Sequence, residues 1–346
     1  MQTLVIGGTG NISSYVVKRL LKGGKKLCLL NRGNGNASLL SELKNEGLCT
    51  ENIEFINESI NNEENIKRLI KNREFSCVMQ FIAYETSDIE RDIRLFSGKT
   101  RQYIFISSAS CYQKPCLTPF ISEETPLSNI YWEYSRKKIA CEERLIRENN
   151  FPITIVRPSH TYGEKKLPLA IHGNKGSWQT IKRIIENKPV IIPGDGLSSW
   201  VLTHSEDFAK GFCPLVDNKR AIGENYHITS DEAVSWLYVY AHIASLLSRE
   251  LKPCFVPSSL LSKSRDYDFK GALLGDKSNS VIFDNSKIKA IAKDFNCDIK
   301  MKDGIEKSLK YLLSHKELQT EDMAFDEFSD KICALMNELE YKIKSI

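Results

Sequence analysis

Tyr134 and Lys138 stand four residues apart in Tyr134-Ser135-Arg136-Lys137-Lys138, a spacing that sets both side chains on one face of a helix. A free phenol, with a pKa of about 10, is a poor base at neutral pH, but a nearby ammonium and an oxidised nicotinamide both favour the phenolate. Tyr134 could then take or give the proton of a substrate hydroxyl while hydride moves to or from a cofactor. Y-x-x-x-K alone is a frequent accident of solvated helices. Its company sets it apart here: Ser107-Ser108-Ala109-Ser110-Cys111-Tyr112 follows an apolar run upstream and offers a hydroxyl donor to the same oxygen.

A second group of residues suits a dinucleotide. Gly7-Gly8-Thr9-Gly10-Asn11-Ile12-Ser13 follows the first apolar run and opens the first helical stretch, the setting that a pyrophosphate loop requires. Gly7 allows the tight turn, and Gly10 lets backbone amides approach the pyrophosphate at the positive end of the helix. Ser13, at the third glycine position, is small enough for close packing of helix on sheet. At the end of the second strand an acidic residue would hold the ribose 2′-hydroxyl of NAD; here the chain reads Asn31-Arg32-Gly33-Asn34. Arg32 could pair with a 2′-phosphate. The expected cofactor is NAD or NADP, with NADP favoured by Arg32. Glu58-Ser59 follows the third strand, where Glu58 could accept from the adenine amino group.

These residues need elements to position them. Leu4 to Gly7, Leu27 to Leu30, Ile53 to Ile56, Cys77 to Ile82, Tyr103 to Ser107 and Ile153 to Val156 are predicted as buried strands. Ile12 to Lys22, Leu39 to Glu46, Glu63 to Asn72, Ile89 to Phe96 and Tyr134 to Asn149 carry apolar residues three and four apart and are predicted as helices. Such alternation implies an α/β fold with a doubly wound, Rossmann-type parallel sheet, whose strand carboxyl ends share one ligand-binding edge. After Arg157-Pro158 the rhythm changes. The expected organisation is a nucleotide domain over residues 1–165, with segments near 195–230 returning to it, and a smaller substrate-binding lobe over 166–346 that ends in a charged packing helix, Glu321 to Ile346.

In this combination the sequence resembles the extended short-chain dehydrogenase/reductases, the NAD(P)-dependent epimerase/dehydratase family. The glycine loop, the serine segment and Y-x-x-x-K stand in the family's order. Val156-Arg157-Pro158-Ser159-His160-Thr161-Tyr162-Gly163 is similar to its R-P-x-x-x-Y-G, and Pro193-Gly194-Asp195-Gly196, Thr203 to Ala209 and Asp284-Asn285-Ser286-Lys287 extend the likeness over roughly residues 1 to 310. The resemblance implies Ser108, Tyr134 and Lys138 as the catalytic set, with Ser107 and Ser110 as rivals for the serine role. It also implies that Phe81, Ala83 and Pro158 lie near the nicotinamide. Two departures weigh against nucleotide-sugar chemistry. Trp200 stands where a diphosphate-gripping arginine is usual, and a tryptophan cannot neutralise two phosphates. Phe81-Ile82-Ala83-Tyr84 replaces the usual Ala-Ala-His type of ending.

Composition narrows the partners. The 346 residues are 41% hydrophobic and 27% charged, as in an ordinary globular chain. No window approaches the about 20 apolar residues of a membrane span, and the expected compartment is the cytoplasm. A net charge of +4 is too small to announce a nucleic-acid binder. The ten cysteines show no C-x-x-C pair and are expected to be buried reduced thiols. His160, His204 and His227 lack a second ligand at helical spacing, so structural or pocket-wall roles are expected rather than a metal. Lys165, Lys166, Lys175 and Lys182 are expected to be a solvated basic face. The expected function is an NAD(P)-dependent oxidoreductase or epimerase acting on a hydroxyl or keto carbon of a small molecule, with a nucleotide sugar as the substrate class that the resemblance implies; Ile89 to Phe96 and Tyr134 to Asn149 are either a homodimer contact or two solvated helices. The competing expectation is a non-catalytic NAD(P)-binding or RNA-binding protein on the same scaffold, like the chloroplast stem-loop-binding relatives of the family.

Overall fold

A computed structural model describes residues 1–149 and 151–346. The strands are β1 (Gln2–Ile6), β2 (Leu27–Asn31), β3 (Ile53–Asn57), β4 (Phe75–Gln80), β5 (Tyr103–Ile106), β6 (Phe120–Ile121), β7 (Ile153–Pro158), β8 (His160–Tyr162), β9 (Val190–Pro193), β10 (Ser199–His204), β11 (Asn225–Ile228), β12 (Ala233–Ser235), β13 (Pro253–Val256) and β14 (Ile282–Phe283). Seven of them form one parallel sheet in the order β11-β7-β5-β4-β1-β2-β3. The helices are α1 (Ser13–Lys22), α2 (Asn36–Asn45), α3 (Glu63–Leu69), α4 (Thr86–Phe96), α5 (Glu133–Ile146), α6 (Trp178–Ile185), α7 (Ser205–Phe212), α8 (Trp236–Leu246), α9 (Ser258–Leu261), α10 (Phe269–Ala272), α11 (Ser286–Ile291), α12 (Met301–Ser314) and α13 (Met323–Ile343).

The sheet strands are apolar on both faces because helices cover both. Val5, Leu29, Met79 and Ile104 point to α1, α2 and α7, whereas Leu4, Leu30, Val78 and Phe105 point to α3, α4 and α5. A separate core joins Trp200 and Leu202 of β10 to Ile181 of α6, Val239 and Ile243 of α8 and Ile305 of α12. Arg183 anchors α13 over this lobe through Asp326, at 2.7 Å. The 195–230 stretch is divided between the two cores. β10 pairs with β8 and β12 in the lobe, while α7 packs on α1 and β11 extends the main sheet beside β7. No helix among the described residues is long and apolar enough to cross a membrane.

Boundaries shift where local chemistry overrides apolar periodicity. α4 starts at Thr86, ahead of Ile89, because Glu85 and Asp88 form a reciprocal capping box. β4 stops at Gln80, short of Ile82: the Gln80 side chain accepts the Ile82 N–H at 2.9 Å and turns the chain out of the sheet. Pro214 follows α7 in a short 3₁₀ turn, Cys213–Leu215.

Candidate functional site

The register brings the loops together. Ile6 lies opposite Leu30 and Gln80, Asn31 opposite Asn57, Gln80 opposite Phe105, and Ile106 opposite Val156. Every loop leaving a strand carboxyl end therefore rises from one edge. Strand order reverses between β1 and β4, the switch point at which open α/β sheets bind ligands. A cleft of about 570 Å³ opens there, lined by Gly7, Thr9, Gly10, Asn31, Arg32 and Glu58 on one side and by Ile82 and Tyr84 on the other.

The glycine loop is locked from within. Ser13 Oγ donates to the Gly7 carbonyl at 2.7 Å and accepts the Gly10 N–H at 2.9 Å. Gly7 has φ +80°, and a Cβ there would lie 2.6 Å from Ile82 Cγ2, so only glycine fits without displacing the opposite wall. No side chain caps α1, which leaves first-turn amides for an anion. At the far end of the cleft, Asn31 Nδ2 and Asn36 Oδ1 are buried and lack partners among the described residues. A glycine cradle, an uncapped helix and an orphaned donor and acceptor together fit a dinucleotide.

Other loop residues take supporting places. Gly8 packs toward Leu29 and Val5, and Thr9 lies against Gly35. Asn11 Nδ2 donates to the Thr161 carbonyl at 3.2 Å, tying the loop to the chain after β7, and Ile12 packs on the first core. The Glu58 carboxylate already accepts from the Ser59 N–H at 2.8 Å and from the Asn62 and Asn65 amides, which hold it below the usual carboxylate range. The Phe81 and Ala83 side chains turn inward, while the Ala83 carbonyl accepts from Lys138 Nζ. Phe81 packs 5.8 Å from Phe212 and Ala83 is fully buried, so the cleft wall is made by Ile82 and Tyr84. Pro158 is buried at the end of β7, opposite Ile228.

Ser108, Tyr134 and Lys138 come together beside this wall. Lys138 is 2% exposed; its Nζ donates to the carbonyls of Ala83 at 2.7 Å and Ile106 at 2.8 Å, leaving one N–H unused by these bonds. Burial pulls its pKa down to about 8. The ammonium lies 4.6 Å from the centre of the Tyr84 ring and 5.9 Å from that of Tyr134. Tyr134 is flanked by Trp132 at 5.1 Å and Tyr84 at 6.3 Å. Burial pushes its phenol well up, Cys111 and Tyr84 add to this, and the neighbouring Ser108 hydroxyl opposes it. Of the three serines, Ser107 is buried against Cys111 Sγ at 3.7 Å, and Ser110 is buried between Ser108 at 2.8 Å and Ser135 at 2.7 Å. Ser108 alone among them is partly exposed.

Two further residues had no sequence signal. Asn129 is buried in the loop before α5, where its Nδ2 donates to the carbonyls of Ser110 at 2.8 Å and Gly275 at 2.7 Å. Its Oδ1 accepts the N–H groups of Tyr131 at 3.2 Å and Trp132 at 3.1 Å. One amide therefore clamps the serine segment, the entrance to α5 and the turn that carries Asp276. Asn129→Ala is expected to destabilise the fold by about 1–3 kcal/mol in denaturant unfolding, because these groups lose buried partners. The Asp276 carboxyl is pushed up to about 6 by burial, with Lys114 and Lys277 opposing, and it adds to the upward shift of Tyr134.

The remaining candidates are architectural. Trp200 is buried and stacks on Trp236 at 6.3 Å, inside the lobe core. His204 Nδ1 accepts the Glu206 N–H at the start of α7, and His227 bridges Tyr112 Oη at 3.0 Å and the Asp284 carbonyl at 2.7 Å. The His160 ring stands edge-on to Trp236 at 5.9 Å. Three lysines of the basic stretch make surface contacts within the fold: Lys165, exposed, pairs with Glu42 and Lys182 with Glu321, each at 2.6 Å, and the exposed Lys175 donates from Nζ to the Glu321 carbonyl at 3.0 Å.

The sequence model of the NAD dependent epimerase/dehydratase family matches residues 3–229, from the glycine loop through β11. The chain belongs to that family. It is 24% identical over 267 residues to the 2′-dehydrokanamycin reductase of Streptomyces kanamyceticus, covering 75% of this chain and 70% of that protein. It is 23% identical over 239 residues to the chloroplast stem-loop binding protein of 41 kDa b of Arabidopsis thaliana, covering 67% and 60%. Among solved structures, the UDP-glucuronic acid 4-epimerase of Bacillus cereus, in complex with NAD, superposes with a TM-score of 0.69 at 20% identity, over 92% of this chain and 100% of the other. This epimerase/dehydratase-family chain thus has the family's fold around a cleft of its own lining.

Proposed function

We propose that this family member is an NADP-preferring oxidoreductase that reduces a keto carbon, or oxidises the corresponding hydroxyl, of a small polyhydroxylated substrate. The observation that carries this reading is the meeting of Ser108, Tyr134 and Lys138 beside Tyr84, which lines the dinucleotide-shaped cleft. The nicotinamide, when bound, supplies or takes the hydride. Tyr134 Oη gives a proton to the substrate oxygen as it becomes a hydroxyl, the task for which a buried, protonated phenol is suited. Ser108 Oγ donates to the same oxygen and orients it. Lys138, held by two carbonyls, keeps an N–H for the nicotinamide ribose.

NADP preference rests on Arg32. Its side chain is exposed at the cleft rim, no acidic residue ends β2, and no carboxylate pairs with it among the described residues. Arg32→Ala is expected to weaken NADPH binding by about tenfold or more while leaving NADH within about twofold. Fluorescence titration of both cofactors checks this; tighter NADH than NADPH binding by the wild type contradicts it. A nucleic-acid-binding reading draws little support from the basic stretch, since Lys165, Lys175 and Lys182 already have partners in the fold. Screening keto sugars for oxidation of bound NADPH tests the function itself.

A further inference from the structure

We infer that the cavity beside Lys277 binds one compact anionic group of the substrate, a phosphomonoester or a carboxylate, in place of a nucleotide diphosphate. The inference rests on the oxidoreductase reading and gives its substrate a chemical class. The turn Leu273–Lys277 is π-helical, a rare geometry that often marks functional sites. It carries Lys277 into a cavity of about 270 Å³ shared with His172, Asn174, Tyr267 and Phe269. Lys277 Nζ donates to a single carbonyl, that of Ala170 at 3.0 Å, and stands 5.9 Å from the Trp236 ring. Two of its three N–H donors have no protein partner among the described residues. His172 Nδ1 donates to the Gly173 carbonyl at 2.7 Å, so the neutral ring gives the cavity no N–H and Lys277 is the donor that would meet an anion. Tyr267 and Phe269 stack at 5.5 Å and give the cavity an apolar wall that strengthens any charge interaction within it.

The charges around the cavity are mixed. Asp276 is the carboxyl that acts on Lys277 and is shared with Lys114, Asp268 on the cavity wall is exposed, and Asp322 and Asp266 act on Tyr267. Lys166 and Lys277 both press the pKa values of His160 and His172 down, after burial itself. Burial likewise pulls Lys277 down to about 8. An ammonium that lines the cavity with one carbonyl partner has donors to spare, and a ligand oxyanion engages them. A second cation suited to a diphosphate is missing from the position that Trp200 occupies, because that indole is packed into the core.

The test is calorimetric titration of the NADP-loaded protein with glucose, glucose 6-phosphate, glucuronate and UDP, in wild type, Lys277→Met, Lys277→Gln and Tyr134→Phe. The expected result is that one of the two anionic sugars binds about tenfold tighter than glucose, which also identifies the anion. Both Lys277 variants lose that preference, and Tyr134→Phe keeps it. Equal binding of charged and neutral probes overturns the inference, as does a preference that survives both Lys277 variants, or UDP binding tighter than either anionic sugar. Should Tyr134→Phe also retain turnover, the proton-transfer reading fails while the anion site stands.

Discussion

Tyr134→Phe is expected to lower turnover by about 10²–10⁴-fold while leaving NADPH affinity and thermal stability close to wild type. The variant keeps the ring that packs between Trp132 and Tyr84 and removes only the hydroxyl beside Ser108. The cofactor cradle is untouched: Gly7, Ser13 and Lys138 hold their partners through bonds that do not involve Tyr134. Steady-state turnover, followed by nicotinamide absorbance, and a parallel NADPH titration separate the two effects. A loss of both activity and cofactor binding would instead make Tyr134 part of the binding wall. Retained activity would remove it from proton transfer.

The second large effect is on stability. Arg157 clamps Glu142 of α5 with contacts of 2.6 to 3.2 Å, and its other arm reaches Tyr112 Oη at 3.2 Å and Asn225 Oδ1 at 3.1 Å. Both members of the pair are almost wholly buried, with side-chain exposures of 4% and 0%. The pair pins α5, the helix that carries Tyr134 and Lys138, to β7. Arg157→Ala leaves a carboxylate without its counter-ion in the interior and is expected to destabilise the fold by about 3–5 kcal/mol. Exchanging both residues for apolar ones of similar volume, Arg157→Met with Glu142→Leu, should recover most of that loss, because desolvation of the pair offsets much of its attraction. Denaturant unfolding of the single and double variants measures both. A single variant within about 1 kcal/mol of wild type, the range of exposed pairs, would show that the pair is not the clamp described.

What could be read from the chain depended on how local the determining physics is. The loop Gly7 to Ser13 was legible because a tight turn between an apolar strand and a helix leaves glycine at fixed offsets. Tyr134 and Lys138 were legible because helical periodicity places them together without reference to the rest of the fold. The wall opposite them is set by less local physics. The apolar run Cys77 to Ile82 looks like continuous strand, but the Gln80 side chain ends β4 early, and the following alternation delivers Ile82 and Tyr84 to the cleft rather than Phe81 and Ala83. Arg157 carries the likeness of a site motif, yet the fold uses it as a buried ion. Asn129 and Lys277 gave no signal. Their partners lie far along the chain, Asn129 on Gly275 and Lys277 on Ala170, and only tertiary folding brings them together.

The central claim is that hydride and proton meet a substrate carbon and oxygen at the mouth of this cleft. It is tested most directly with NADPH carrying deuterium at the transferable position, incubated with the purified protein and a panel of keto sugars and their phosphate and carboxylate derivatives. The account predicts a product bearing one deuterium on the new carbinol carbon, formed by the wild type and lost with Tyr134→Phe. Product formed without label, or labelled at the same rate by Tyr134→Phe, would contradict it.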